Sequence, residues 1–204
     1  MNENIICVIL AYLIGGVPFG LILGKFFGGV DIRAFGSHSI GATNVLRVIK
    51  EKDPKKGKIL AIATALCDIF KGVIPILIAR AFDVSLNTQW SMAVFAVLGH
   101  CFSPYLVFKG GKGVATAAGV LACFVPAEVA IAVVGWFVCG KVLKISSLAS
   151  LAAVLCFAVA LYFIHPQMQG INTYAPIVVI IFTIIYKHIP NIVRLIKGDE
   201  KKVI

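Results

Sequence analysis

Charged side chains are scarce in this chain. Only 14% of its 204 residues are charged, and acids are fewest, with Asp and Glu totalling 9 against 19 Lys and Arg. A soluble globular domain carries about a quarter of its residues as charge. The deficit, with 60% hydrophobic residues and a mean hydropathy of +0.98, excludes a soluble fold and implies a polytopic membrane protein. No C-x-x-C pair occurs among the 6 cysteines, nearly all of which sit in apolar runs. They read as small buried hydrophobes, and neither a disulfide nor a metal site is expected. No basic segment precedes the first apolar run at Ile5, so that run reads as a retained helix rather than a cleaved signal. Internal repeats and low-complexity tracts are missing too. The net charge of +10 has no polar domain to host a nucleic-acid site. It is better read as basic loops beside an anionic leaflet, or as sites for anionic substrates.

What is there in quantity is apolar sequence. Runs span Ile5–Gly24, Ile59–Ala79, Trp90–Phe108, Val114–Gly140, Leu148–Ile164 and Tyr174–Ile189. The fourth is too long for one ordinary crossing and holds Pro126 near its middle. Read as a single helix, it would put Lys109 and Lys112 on the opposite side from Lys141 and Lys144, against the positive-inside tendency. A break at Pro126 gives two segments of about 12 to 15 residues, with Glu128 near an external turn. The expectation is therefore an all-α integral membrane domain over residues 1–204. It would have seven transmembrane helices, the N-terminus outside and the C-terminus cytoplasmic. Every Lys and Arg except Lys71 and Arg80 then falls on the cytoplasmic side. Asp68 and Lys71, three apart inside the second run, are expected to pair, because lone charges at that depth are costly.

This topology gathers four polar cassettes on one side of the membrane. Phe35–Arg47 holds Ser37, Thr43, Asn44 and Arg47 around Gly36 and Gly41, a set of hydroxyls, amide, guanidinium and approachable backbone N–H groups suited to an oxyanion. A helix starting near Thr43 would add its N-terminal dipole. Gly99–Thr116 contains His100 and the sequence Lys109-Gly110-Gly111-Lys112-Gly113. It resembles a phosphate loop but is not a Walker motif, since Gly113 stands where Ser or Thr is required. Lys144–Ser150 places Ser147 at the start of a run. His188–Arg194 puts Asn191 and Arg194 on one helix face.

In order and spacing, these segments resemble the bacterial membrane glycerol-3-phosphate acyltransferases that use acyl phosphate as donor. The resemblance covers nearly the whole chain. It is carried by Pro18-Phe19-Gly20, Gly29–Arg33, Gly36-Ser37, Gly41–Arg47, Asp68, Lys71-Gly72, Gly99-His100, Phe108–Thr116 and Ser147–Ser150, and by Asn191, Arg194, Gly198 and Glu200. Departures stand at His38, often Gly or Lys in the family, at Ser39, usually Asn, at Ser146, usually aliphatic, and at Ile189-Pro190.

The resemblance implies seven helices, an active site facing the cytoplasm of the bacterial inner membrane, and no cofactor. It implies acyl transfer from acyl phosphate to the 1-hydroxyl of glycerol 3-phosphate, giving lysophosphatidic acid and phosphate. Ser37, Gly41, Thr43 and Asn44 would hold the acyl phosphate. Arg47, His100, Lys112, Ser147, His188 and Asn191 would hold glycerol 3-phosphate, and Ser37, Arg47, Lys112, His188 and Asn191 would carry the chemistry. Partners would be these substrates and membrane lipids, with no nucleic acid and no obligate protein partner.

The H-x-x-x-x-D signature of another acyltransferase superfamily is absent, because Thr43, Tyr105, Gly170 and Val193 follow the four histidines at that spacing. Direct attack on the activated donor is therefore expected. The proton acceptor stays open among a donor phosphate oxygen, His100 and His188. A membrane transporter of phosphate esters or organic anions is the alternative reading.

Overall fold

The computed structural model describes residues 3–168 and 170–202. Among these the regular structure is helical. The first apolar run breaks at Val17-Pro18 into α1 (Glu3–Gly16) and α2 (Phe19–Phe26), since proline has no N–H with which to extend the first helix. A loop with a short 3-10 turn leads to α3 (Ala42–Lys50), an amphipathic helix. The next helix, α4 (Pro54–Ala81), opens on a proline in its first turn, and the Asp53 carboxylate accepts from the Lys56 N–H at 2.9 Å. A cap of that kind contributes about 1 kcal/mol. Then follow α5 (Leu86–Cys101), α6 (Val114–Ala122), α7 (Pro126–Leu143), α8 (Ser146–Ile164) and α9 (Ala175–Lys197).

Among the described residues, five segments are long and apolar enough to cross a membrane: α1 with α2, α4, α7, α8 and α9. The shorter α5 and α6 have 16 and 9 residues. The outer faces carry Ile62, Phe70, Val134, Phe137, Leu155 and Phe182 in the open. These would be aggregation sites in water but suit lipid.

Two sequence expectations change. The break near Pro126 is present but unequal, with 9 residues in α6 and 18 in α7, because proline seats in the first turn of the second helix rather than midway. Glu128 lies in the first turn of α7, beside the break between α6 and α7 as expected. It is fully buried, and its carboxylate is paired with His165 Nδ1 where α7 meets the end of α8. The run Trp90–Phe108 is helical only to Cys101. Pro104 follows, and Val107 and Phe108 take left-handed backbone, so residues 102–113 form a loop.

Helix α1 lies along α5, α7 along α8, and α3 and α6 both rest on α4. Ile76, Trp90, Val97, Val120, Phe157 and Ile180 form the main core. A second cluster of Ile32, Val45, Ile49 and Leu60 fastens α3 to α4. The loop after α5 is tied back to α1 by Tyr12 Oη, which donates to the Phe102 carbonyl at 2.7 Å, and by Ser103 Oγ, which donates to the Gly16 carbonyl at 2.7 Å. These bonds leave the starts of α3, α6 and α8 and the last turns of α9 around one space.

Candidate active site

That space is a cavity of about 470 Å³. Its polar end is built by Ser37, Gly41, Thr43, Asn44 and Arg47 from the α3 entry, His100 from the last turn of α5, Lys112 from the α5–α6 loop, Ser147 from α8, and His188 and Asn191 from α9. Every site residue expected from sequence lies on this one wall. The other end is an apolar groove between α4, α7 and α8, with Ala65, Val129, Ala132, Trp136, Ala153 and Phe157 along it. A smaller annex of about 210 Å³ adds His38, Gly110, Gly111, Lys187 and Arg194 beside Ser37 and Lys112.

Asn44 is the frame of the first cassette. Its Oδ1 accepts from the Ser37 N–H at 2.8 Å, while Nδ2 reaches the carbonyls of Ile32 at 2.8 Å, Ser39 at 2.8 Å and Phe35 at 3.2 Å. Only 1% of the residue is exposed. The side chain is thus committed to holding the loop, and it aims the backbone of Ser37 rather than offering its own amide. Gly36 makes the turn at φ +65°, where a Cβ would strike Asn44 Oδ1. His38 also has positive φ, at 58°, a conformation that favours glycine. Its ring Nδ1 lies 2.9 Å from the Arg33 carbonyl, in the geometry of an Nδ1–H donating to it. The departure at Ser146 has a structural use, since its Oγ lies 3.0 Å from Thr43 Oγ1 and joins the starts of α3 and α8.

The second cassette is fixed to the end of α5. Gly111 N–H donates to the His100 carbonyl at 2.9 Å and Gly110 N–H to that of Cys101 at 3.2 Å. Lys187 Nζ donates to the Cys101 carbonyl at 2.9 Å. A side chain at Gly111 would run into the His100 ring, so the loop can lie this close only with glycine there.

Sequence reasoning missed the place of Glu200. Its carboxylate accepts from Ser147 Oγ at 2.7 Å, Asn191 Nδ2 at 2.6 Å and Arg194 Nε at 2.6 Å, joining the third and fourth cassettes. Burial works against its ionisation, but those bonds outweigh it and hold the carboxyl below the usual range. A carboxylate in an acid-poor chain, placed just after a cationic helix end, was the available signal.

Burial lowers Lys112 to about 8. Glu200 opposes the shift, and Arg194 and Arg47 add to it. The ammonium is therefore present below that pH and lost above it. For the free protein, kcat/KM for an anionic substrate is expected to fall as pH rises through about 8, and Lys112→Arg should extend the plateau upward. A profile flat from pH 7 to 9 in the unsubstituted protein would contradict this.

The sequence matches the family described as glycerol-3-phosphate acyltransferase over residues 5–198. The chain belongs to that family. It is an integral membrane acyltransferase. Proteins named glycerol-3-phosphate acyltransferase from Campylobacter concisus and Wolinella succinogenes are 55% and 53% identical to it. They align over 99% and 100% of this chain and over 100% and 98% of their own lengths. The crystal structure of PlsY, an integral membrane glycerol 3-phosphate acyltransferase, is 33% identical. In its glycerol 3-phosphate form it superposes with a TM-score of 0.85, covering 98% of this chain and 96% of its own. A second form of that protein, with lysophosphatidic acid, superposes at 0.84. Phospholipid biosynthesis follows from the family.

Proposed function

We propose that this acyltransferase moves a fatty acyl group from acyl phosphate to the 1-hydroxyl of glycerol 3-phosphate, releasing lysophosphatidic acid and inorganic phosphate. The observation that carries the reading is the join of a cationic, N–H-rich mouth to an apolar groove in one cavity. The mouth suits two phosphate groups, and the apolar groove, where alanines leave room beside Trp136 and Phe157, suits an acyl chain.

Acyl phosphate takes the first cassette, with its phosphate at the hydroxyls of Ser37 and Thr43 and at the backbone N–H groups that open α3 just after Gly41. Asn44 serves by holding that loop. Glycerol 3-phosphate takes Arg47, Lys112, Ser147 and Asn191. Its hydroxyl oxygen attacks the acyl carbonyl carbon, the bond from that carbon to the phosphate oxygen breaks, and the hydroxyl proton leaves on the phosphate. The donor is already activated, so no covalent acyl-protein step is needed. Lys112 and Arg47 neutralise the phosphates and the charge that develops between them, and holding both substrates together supplies the proximity gain.

His188 meets the attacking hydroxyl as an acceptor. Its Nδ1 lies 2.8 Å from the Ile184 carbonyl, which can only accept, so Nδ1 carries the hydrogen. Its Nε2 is then a bare lone pair. This atom is buried and has no partner, on a residue that lines the cavity.

The seven-crossing arrangement is part of the proposal. The five long segments, with α5 and α6 as shorter crossings, return the mouth to the lysine-rich side, which is the cytoplasm. The alternative of a phosphate-ester transporter has no use for an acyl-sized groove beside the anion mouth.

The groove gives the test. Ala153→Trp fills it and is expected to raise KM for a palmitoyl phosphate donor more than about tenfold. KM for a short-chain acyl phosphate should stay within about twofold. Equal effects on both donors would remove the groove from donor binding.

A further inference from the structure

Asp68, Lys71 and His100 form a buried trio between α4 and α5, with Asp68 and His100 on the cavity wall. Exposure is 3%, 4% and 4% respectively. Lys71 Nζ lies 2.7 Å from Asp68 Oδ1, 2.8 Å from His100 Nδ1 and 2.9 Å from the Val17 carbonyl at the α1–α2 break.

An ammonium has three N–H donors and no acceptor. Here it faces three acceptors: a carboxylate, a carbonyl and a ring nitrogen. His100 Nδ1 must therefore present its lone pair. The opposite arrangement, with Nδ1–H donating to Asp68, would have to span 3.6 Å, beyond hydrogen-bond range. It would also set two donors head to head. A neutral ring with a bare Nδ1 carries its proton on Nε2, and that atom lies against Gly111, next to Lys112.

We propose that Lys71 is a positioning residue that locks His100 in the Nε2–H tautomer, so that the ring presents a fixed donor to a phosphate oxygen of glycerol 3-phosphate beside Gly111-Lys112. This rests on the substrate reading above. It makes the two cavity histidines opposites, with His100 wired as a donor and His188 as an acceptor, and it removes His100 as the proton acceptor. Asp68 and the Val17 carbonyl hold the ammonium in place. The fixed charge pair inside the bundle thus has a use beyond packing.

The test is the nitrogen spectrum of protein carrying 15N-histidine in nanodiscs, with His100 assigned by the signal lost in His100→Gln. The proposal expects a bare Nδ1 and a protonated Nε2 at neutral pH without substrate. In Lys71→Met the ring proton should move to Nδ1, facing Asp68. Kinetically, Lys71→Met and His100→Phe should each raise KM for glycerol 3-phosphate about tenfold or more, the worth of one hydrogen bond to a charged group. KM for acyl phosphate should change less than about twofold. His100→Gln, whose amide N–H can replace Nε2–H, should keep KM for glycerol 3-phosphate within about threefold. An Nδ1–H ring in the unsubstituted protein overturns the proposal, and so does an unmoved tautomer in Lys71→Met. A rise confined to the acyl phosphate KM would overturn the assignment to glycerol 3-phosphate. The tautomer is read without substrate and without turnover, so its failure is distinct from failure of the acyl-transfer reading.

Discussion

Lys112→Met is expected to lower kcat/KM for acyl transfer about 10²–10³-fold, the cost of removing a preorganised charge from a site where negative charge develops. Most of the loss should appear in KM for glycerol 3-phosphate, because Lys112 lines the cavity with Arg47 and Asn191, the residues we propose hold that substrate. The fold should survive. Burial already disfavours this ammonium, pulling it to about 8, so its removal relieves a desolvation cost. Unchanged helical circular dichroism with the kinetic loss is the expected pair of results. Lys112→Arg keeps the charge but not the reach, and should recover part of the rate.

Asn44→Ala is expected to be almost as damaging by a different route. The amide serves the Ser37 N–H and three loop carbonyls. Leaving buried polar groups unpaired costs about 1–3 kcal/mol each. Hydration of the opened loop would return part of this but would displace the Ser37 hydroxyl and the start of α3, where we propose the donor phosphate binds. We expect KM for acyl phosphate to rise and kcat to fall, for a combined loss of about 100-fold. Asn44→Asp is the sharper variant. It keeps size and the acceptor toward Ser37 but cannot donate to the carbonyls, and should do as badly as alanine. An active Asn44→Asp would mean that Asn44 does not hold the loop through its amide.

These two residues also mark what the sequence could disclose. Lys112 was readable because a lysine between glycines, flanked by membrane-length apolar runs, has few inexpensive roles. Arg47 stood out in a polar segment between such runs, whereas Ser147 and Asn191 could equally have been a helix cap and a helix-face residue and were marked by the family resemblance. Charge placement along the chain put their segments on one side, and the structure brings them to one cavity. For Asn44 the residue was legible but not its task, since an amide can meet a ligand or a loop and only the path of residues 32–39 decides. Glu200 was harder. Its partners Ser147 and Asn191 lie on two different helices, and no local pattern announces that meeting. The Thr43–Ser146 link is likewise a through-space fact, 103 positions apart in the chain.

Helix ends were the weakest reading. Hydropathy continues through Phe102–Phe108, yet Pro104 and two left-handed residues turn that stretch into the loop that carries Lys112. The break at Pro126 placed Glu128 beside a turn, and no local pattern showed that the carboxylate there would be fully buried. His165, far along the chain, supplies the partner that permits this burial.

The central claim is that this single cavity joins acyl phosphate to glycerol 3-phosphate directly. The measurement that tests it most directly is product formation by the purified protein in nanodiscs, given palmitoyl phosphate and radiolabelled glycerol 3-phosphate without metal, coenzyme A or carrier protein. Labelled lysophosphatidic acid should appear with inorganic phosphate, one for one, and Lys112→Met should abolish nearly all of it. No labelled lipid from acyl phosphate, with product appearing only when an acyl thioester is supplied, would contradict the account.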